Sequence, residues 1–142
     1  MCMYGAAKNY LGNDKVWDSN LFIFPDRWAG DDCLTAWGGQ NHVYSNNTCI
    51  TSSDYPQGFD SDVEGDKCIV NYTDPVSSKF LPSVHGNTYH TQTGAFFTGC
   101  QAPYYTLESL QAVGQEIGSQ AVKGYDIASV VNLAKELLLV NQ

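Results

Sequence analysis

The sequence predicts a mainly β protein, built as a stack of short coils and ending in helix. Three observations predict it. The first is a near-repeat: Gly12 to Ile23 (GNDKVWDSNLFI) returns 27 residues later as Gly39 to Ile50 (GQNHVYSNNTCI). Gly, Val, Asn and Ile are kept, and an aromatic follows each Val. A repeat of this length on short β-branched and aromatic runs suggests units that bury their apolar sides on one another. The second is composition, with 13 Gly and 9 Tyr favouring turns and strands. The third is a change of character after Pro103, where helical periodicity replaces strand-like runs.

Residues 14–24 and 41–51 read as strand-rich units centred on Asn20 and Asn47. Between them lies a turn-rich loop, Pro25 to Gly30, and then the short apolar run Cys33 to Trp37. Residues 52–66 read as a long polar loop. Further strands are expected at Cys68–Tyr72, Asn87–His90 and Ala95–Thr98. Thr106 is the expected N-cap of a short helix from Leu107 to Val113, stopped near Gly114. Asp126 is expected to cap a second helix. There Ile127, Val130, Val131, Ala134, Leu137 and Leu138 form one apolar face, expected to pack on the rest of the domain.

A length of 142 residues suits one domain with a single core, and 43% hydrophobic with 15% charged residues fits an ordered chain. Lys plus Arg total 7 against 15 Asp plus Glu, a formal charge of −8 with no basic cluster. Nucleic acid is therefore not an expected partner, whereas a neutral glycan needs no positive footprint. No stretch is long and apolar enough to suggest a membrane span, so no membrane partner is expected. The five cysteines (Cys2, Cys33, Cys49, Cys68, Cys100) form no C-x-x-C pair, and their spacing to His42, His85 and His90 does not suit zinc. Two sequons, Asn46-Asn47-Thr48 and Asn71-Tyr72-Thr73, fit an extracellular, secreted glycoprotein. The N-terminus lacks the pattern of a signal peptide. The expectation is a C-terminal portion of a longer protein, with further units upstream as its partners.

Units of the form V-[WY]-x-x-N-x-x-I resemble rungs of a right-handed parallel β-helix. The run Leu107 to Ser119 is similar to the L-x-x-x-Q-x-x-G-x-[DE]-x-x-S segment that closes such proteins. The resemblance implies a pectin-lyase-like protein with β-helix rungs and long loops over residues 1–103 and a C-terminal helical capping segment over 104–142. It also implies ladders of equivalent Asn residues and a link to carbohydrate. Fold alone does not give function.

The run Gly30-Asp31-Asp32-Cys33 resembles the Asp-Asp-Cys motif of polygalacturonase-type hydrolases. That resemblance would make Asp31 a general acid and Asp32 part of the base. The N-x-D, G-H-G and R-I-K elements of that family are absent, and the two carboxylates also suit a turn into a strand. A lyase would instead draw on Asp26, Asp31 and Asp32 for calcium with Arg27 as base. Trp28 and Arg27 are the candidate glycan contacts, with Trp28 expected to be exposed. Asp60, Asp62, Glu64 and Asp66, closed by Gly65, resemble the first half of a calcium loop, and a Ca²⁺ there would tie down residues 52–66. The alternative is a solvated acidic loop. Cys33 and Cys49 lie where neighbouring units could bring them face to face. No nucleophile elbow, phosphate loop or dinucleotide fingerprint occurs.

The expected role is thus the last rungs and cap of a secreted polysaccharide-binding or carbohydrate-active protein, with no complete catalytic site in this chain. The alternatives are a hydrolase using Asp31 and Asp32, and a calcium-stabilised adhesion or scaffold module.

Overall fold

A computed structural model describes residues 7–10, 12–24, 33–37, 40–59, 82–98, 105–124 and 127–137. These residues form a mainly β protein with parallel sheets and few short helices. In chain order the strands are β1 (Ala7–Tyr10), β2 (Val16–Asp18), β3 (Leu21–Phe24), β4 (Leu34–Trp37), β5 (Val43–Ser45), β6 (Thr48–Thr51), β7 (Gln57–Phe59), β8 (Ser83–His85), β9 (Thr88–Thr91), β10 (Phe97–Thr98), β11 (Tyr105–Thr106) and β12 (Gln120–Lys123). The helices are α1 (Leu107–Ala112), between β11 and β12, and α2 (Ile127–Leu137).

The strands are dealt into three sheets in rotation. The first sheet has the order β1-β4-β7-β10-β11, the second β2-β5-β8, and the third β12-β9-β6-β3. All pairings are parallel except β10 with β11. The repeat seen in the sequence is the register of the first two layers: Val16 lies beside Val43, Trp17 beside Tyr44, and Phe22 beside Cys49.

The corner between the second and third sheets explains why these residues recur. In successive layers Ser19, Asn46, Gly86 and Gly118 occupy the left-handed region, with φ of 57, 52, 66 and 75°. A residue with φ above zero turns the chain sharply, and Gly or Asn tolerates it best. The next residue in each layer belongs to a hydrogen-bonded row. Asn47 Oδ1 accepts from the backbone N–H of Asn20 (2.8 Å) and from Asn20 Nδ2 (3.0 Å). Asn87 Oδ1 accepts likewise from the N–H and Nδ2 of Asn47, at 2.9 and 3.2 Å. Ser119 Oγ ends the row by accepting from the Asn87 N–H at 2.9 Å. The row keeps buried amides paired, since an unpaired buried amide is costly.

The core follows the alternation of the strands. Cys33, Leu34, Tyr44, Cys49, Val84, Tyr89, Phe96, Leu107 and Leu110 form one buried cluster. Cys33 and Cys49 are joined by a disulfide with Cα atoms 6.0 Å apart. Leu107 and Leu110, one turn apart on α1, insert into that cluster. Thr106 caps α1 as expected: its side chain accepts from the Ser109 N–H, and Ser109 Oγ accepts from the Thr106 N–H.

Two expectations meet a different arrangement. Residues 52–66, expected as one loop, contain β7, because β4 and β10 supply backbone partners on either side of Gln57. Residues 120–123, inside the segment expected to be helical, form β12 against β9. On α2, Ala128, Val131, Asn132, Lys135 and Glu136 are exposed. Among the described residues no helix is long and apolar enough to cross a membrane.

Candidate ligand groove

The residues singled out by the sequence as catalytic (Asp31, Asp32), glycan-contacting (Arg27, Trp28) or calcium-binding (Asp60, Asp62, Glu64, Asp66) all lie outside the described residues. What is fixed is the anchor just after Asp32. Cys33 is fully buried, bonded to Cys49, and donates its N–H to the Pro56 carbonyl at 2.8 Å. Among the described residues no group of three or more His, Cys, Asp or Glu is placed to hold a metal.

The structure does form a groove of about 400 Å³ where the turn before β10, the first turn of α1 and β12 meet. Gly94 brings the turn close. Its φ is 92°, and a Cβ there would stand 3.2 Å from the Lys123 N. Phe97 is half-buried in the wall and packs against Tyr55 with ring centroids 5.6 Å apart. Thr106, Glu108 and Gln111 line the α1 side, and Gln120 lines the β12 side. Glu108 is exposed, and its carboxyl is held below the usual carboxylate range, first by its own backbone N–H and then by the Thr106 side chain. It is therefore ionised at neutral pH. The Gln111 amide is committed to the fold, donating to the carbonyls of Glu116 (3.1 Å) and Ser119 (2.9 Å). Thr106 Oγ1 already accepts from the Ser109 N–H, and Gln120 Nε2 donates to Thr88 Oγ1 at 3.3 Å. What the groove presents is thus the Phe97 ring among polar groups with part of their bonding capacity in use, which suits a polyol with an apolar face, and one negative charge disfavours an anionic ligand.

A second polar assembly lies on the second sheet, where Asp18, Ser45 and His85 stand in register. Asp18 Oδ1 accepts from Ser45 Oγ at 2.6 Å and from Asn46 Nδ2 at 2.9 Å, and Oδ2 accepts from Ser19 Oγ at 3.0 Å. These bonds, that from Ser45 foremost, hold the Asp18 carboxyl below its ordinary range. A carboxylate so stabilised is a weak base. The carboxylate thereby ties Ser19 of its own layer to Ser45 and Asn46 of the next.

The Leu107–Ser119 run carries structural roles that its residue types alone did not disclose. Gln111 bridges carbonyls, Ser119 closes the Asn row, and Glu116 enters the core at 1% exposure with φ 55°. Glu116 Oε1 accepts from the Tyr89 hydroxyl at 2.8 Å. Tyr44 is buried nearby, its phenol pushed upward first by burial and then by the charge of Glu116. The groove itself was missed because its walls come from residues 94–97, 106–111 and 119–121, which only the fold unites. Thr106, the expected cap, was the one pointer to that place.

No family model matches the chain, and neither a curated protein nor a solved structure matches it. The fold and groove define a class only: a mainly β protein of stacked parallel sheets that carries an open polar and aromatic cleft.

Proposed function

We propose that this chain is a right-handed parallel β-helix module of a secreted protein, and that it binds a neutral glycan in the groove between β10, α1 and β12. The observation that carries the reading is the rotation of strands through three parallel sheets with one Asn row at a single corner. Repeat proteins stack units in this way, and parallel strands joined by crossovers follow the right-handed rule. On this reading α1 and α2 cover the last layer and shield its strand edges. The Cys33–Cys49 disulfide supports an oxidising compartment. Glycan chemistry is supported by Phe97 with Thr106 and Gln120 around it, and neutrality of the glycan by the ionised Glu108.

The test is calorimetric titration with neutral and uronate oligosaccharides. A neutral oligosaccharide should bind, and Phe97→Ala should weaken it at least about tenfold, the loss of one stacking contact and its burial. Glu108→Gln should leave that binding and admit a uronate ligand. Failure of every neutral glycan to bind, or binding that ignores Phe97→Ala in a folded protein, would sink the reading.

A further inference from the structure

The two ends of the stack differ. At the β12 end the Asn row is closed by Ser119, and Leu107 and Leu110 of α1 fill the interior. At the β2–β3 end every residue from Val16 to Asp18 and from Phe22 to Phe24 is more exposed than its register partner one layer on. Trp17 and Phe22 are half-buried while Tyr44 and Cys49 are fully buried. Ile23 is 37% exposed against 6% for Ile50, and Asn20 is half-buried against 1% for Asn47.

The Asn row also has a direction. Each Oδ1 accepts from the Asn of the preceding layer, through its backbone N–H and its Nδ2. Asn20 donates onward but its own Oδ1 accepts nothing from the described residues. Among the described residues β3 is the edge strand of its sheet on that same side. The carbonyls of Asn20 and Phe24 accept from Thr48 and Ser52 of the next layer. Strand alternation then turns the amide groups of Leu21 and Ile23 away from β6, towards the open side.

We infer that the β2–β3 end is a docking face for one further parallel β-layer. Its occupant is an extended polypeptide of the repeat's own chemistry, V-[WY]-x-x-N. It lies in register with β2 and β3, its Asn placed to donate backbone N–H and side-chain amide to Asn20 Oδ1. The ladders call for this occupant: a parallel strand satisfies Leu21, Ile23 and Asn20 Oδ1 together, and its aromatic would lie beside Trp17 in the register by which Trp17 lies beside Tyr44. A second copy meeting the face through a two-fold axis would bring β3 antiparallel and would offer no continuation of the row. The inference rests on the ladders and is independent of the glycan reading.

The probe is a synthetic peptide with the sequence of Gly39 to Thr51, Cys49 replaced by Ser, added to the full chain. Amide hydrogen exchange is read at Leu21 and Ile23. Saturable slowing of both by about tenfold or more is expected, with no slowing from a scrambled peptide. Ile23→Pro removes a donor on the open edge, and Ile23→Lys places a charge there; either should abolish the slowing at Leu21. Unchanged melting of Ile23→Lys checks that the fold survives. Equal effects of native and scrambled peptides, or no slowing at all, would overturn the inference. So would slowing that grows with protein concentration and ignores the peptide, which would assign the face to a second copy.

Discussion

Tyr89 and Glu116, 27 residues apart, meet in the core, where the phenol donates to Glu116 Oε1 at 2.8 Å. Tyr44 shares that interior, but its hydroxyl makes no hydrogen bond to the described residues. Two identical substitutions should therefore differ in sign. Tyr89→Phe removes a donor from a buried carboxylate and should cost about 1–3 kcal/mol. Tyr44→Phe should be neutral or stabilising. Urea midpoints of the two variants check the contrast, and equal losses would refute it.

Asn47 is the centre of the row, accepting twice from Asn20 and donating to the Trp17 carbonyl and Asn87 Oδ1. Asn47→Ala should cost about 2–4 kcal/mol, several net hydrogen bonds of about 1 kcal/mol each plus the unpaired groups left behind. Asn20→Ala, at the open end, should cost less than half of that. Chemical denaturation of both variants gives the comparison directly.

The disulfide closes a separation of 16 residues between Cys33 and Cys49. Its removal in Cys33→Ser/Cys49→Ser should lower stability by about 3 kcal/mol through a less restricted unfolded chain. A thermal scan with and without reductant should show the wild type, but not the variant, losing stability.

Acid should weaken the fold in two steps. His90 has its pKa lowered, by burial above all. The unfolded chain therefore takes up its proton first, and stability falls as pH drops below the ordinary histidine value. Asp18 is also lowered, so its contribution is full above the ordinary carboxylate range and is lost as pH falls through its folded value. Asp18→Asn should make the lower limb shallower, leaving the part that the likewise lowered Glu108 contributes, and should not touch the upper limb, as read from urea midpoints at stepped pH.

Gly86 has φ 66°, and a Cβ on it would lie 2.6 Å from Asn46 Oδ1. Gly86→Ala should cost about 1–3 kcal/mol, from backbone strain and the clash together. Asn46→Ala should recover part of that loss in the double variant. A double-mutant cycle without coupling would remove the clash from the account.

Much of this organisation was legible where neighbouring layers keep one length. Asn20 and Asn47 sit 27 residues apart, so the first repeat stood out. Asn87 belongs to the same row, but its step is 40 residues and Gly86 replaces Asn46 before it. The shared feature is a backbone conformation that Ser, Asn and Gly all reach, and identity does not report it. Strand β7 was hidden for another reason: Gln57-Gly58-Phe59 has little strand character, and its partners in β4 and β10 impose it. Thr106 as a helix cap was readable because capping is local. The groove was not, since Phe97, Glu108 and Gln120 come to line one cleft only once β10, α1 and β12 have met.

The step along the Asn row is 27, then 40, then 32 residues, and the hydrogen bonds between its members stay within 2.8–3.2 Å. Register is thus decoupled from contour length. The surplus of the second step falls between Phe59 and Ser83, and lengthening such a segment twofold adds only about 0.6 kcal/mol of closure entropy. An insertion or deletion between layers therefore costs the stack little, provided each layer still brings one amide or hydroxyl to the row.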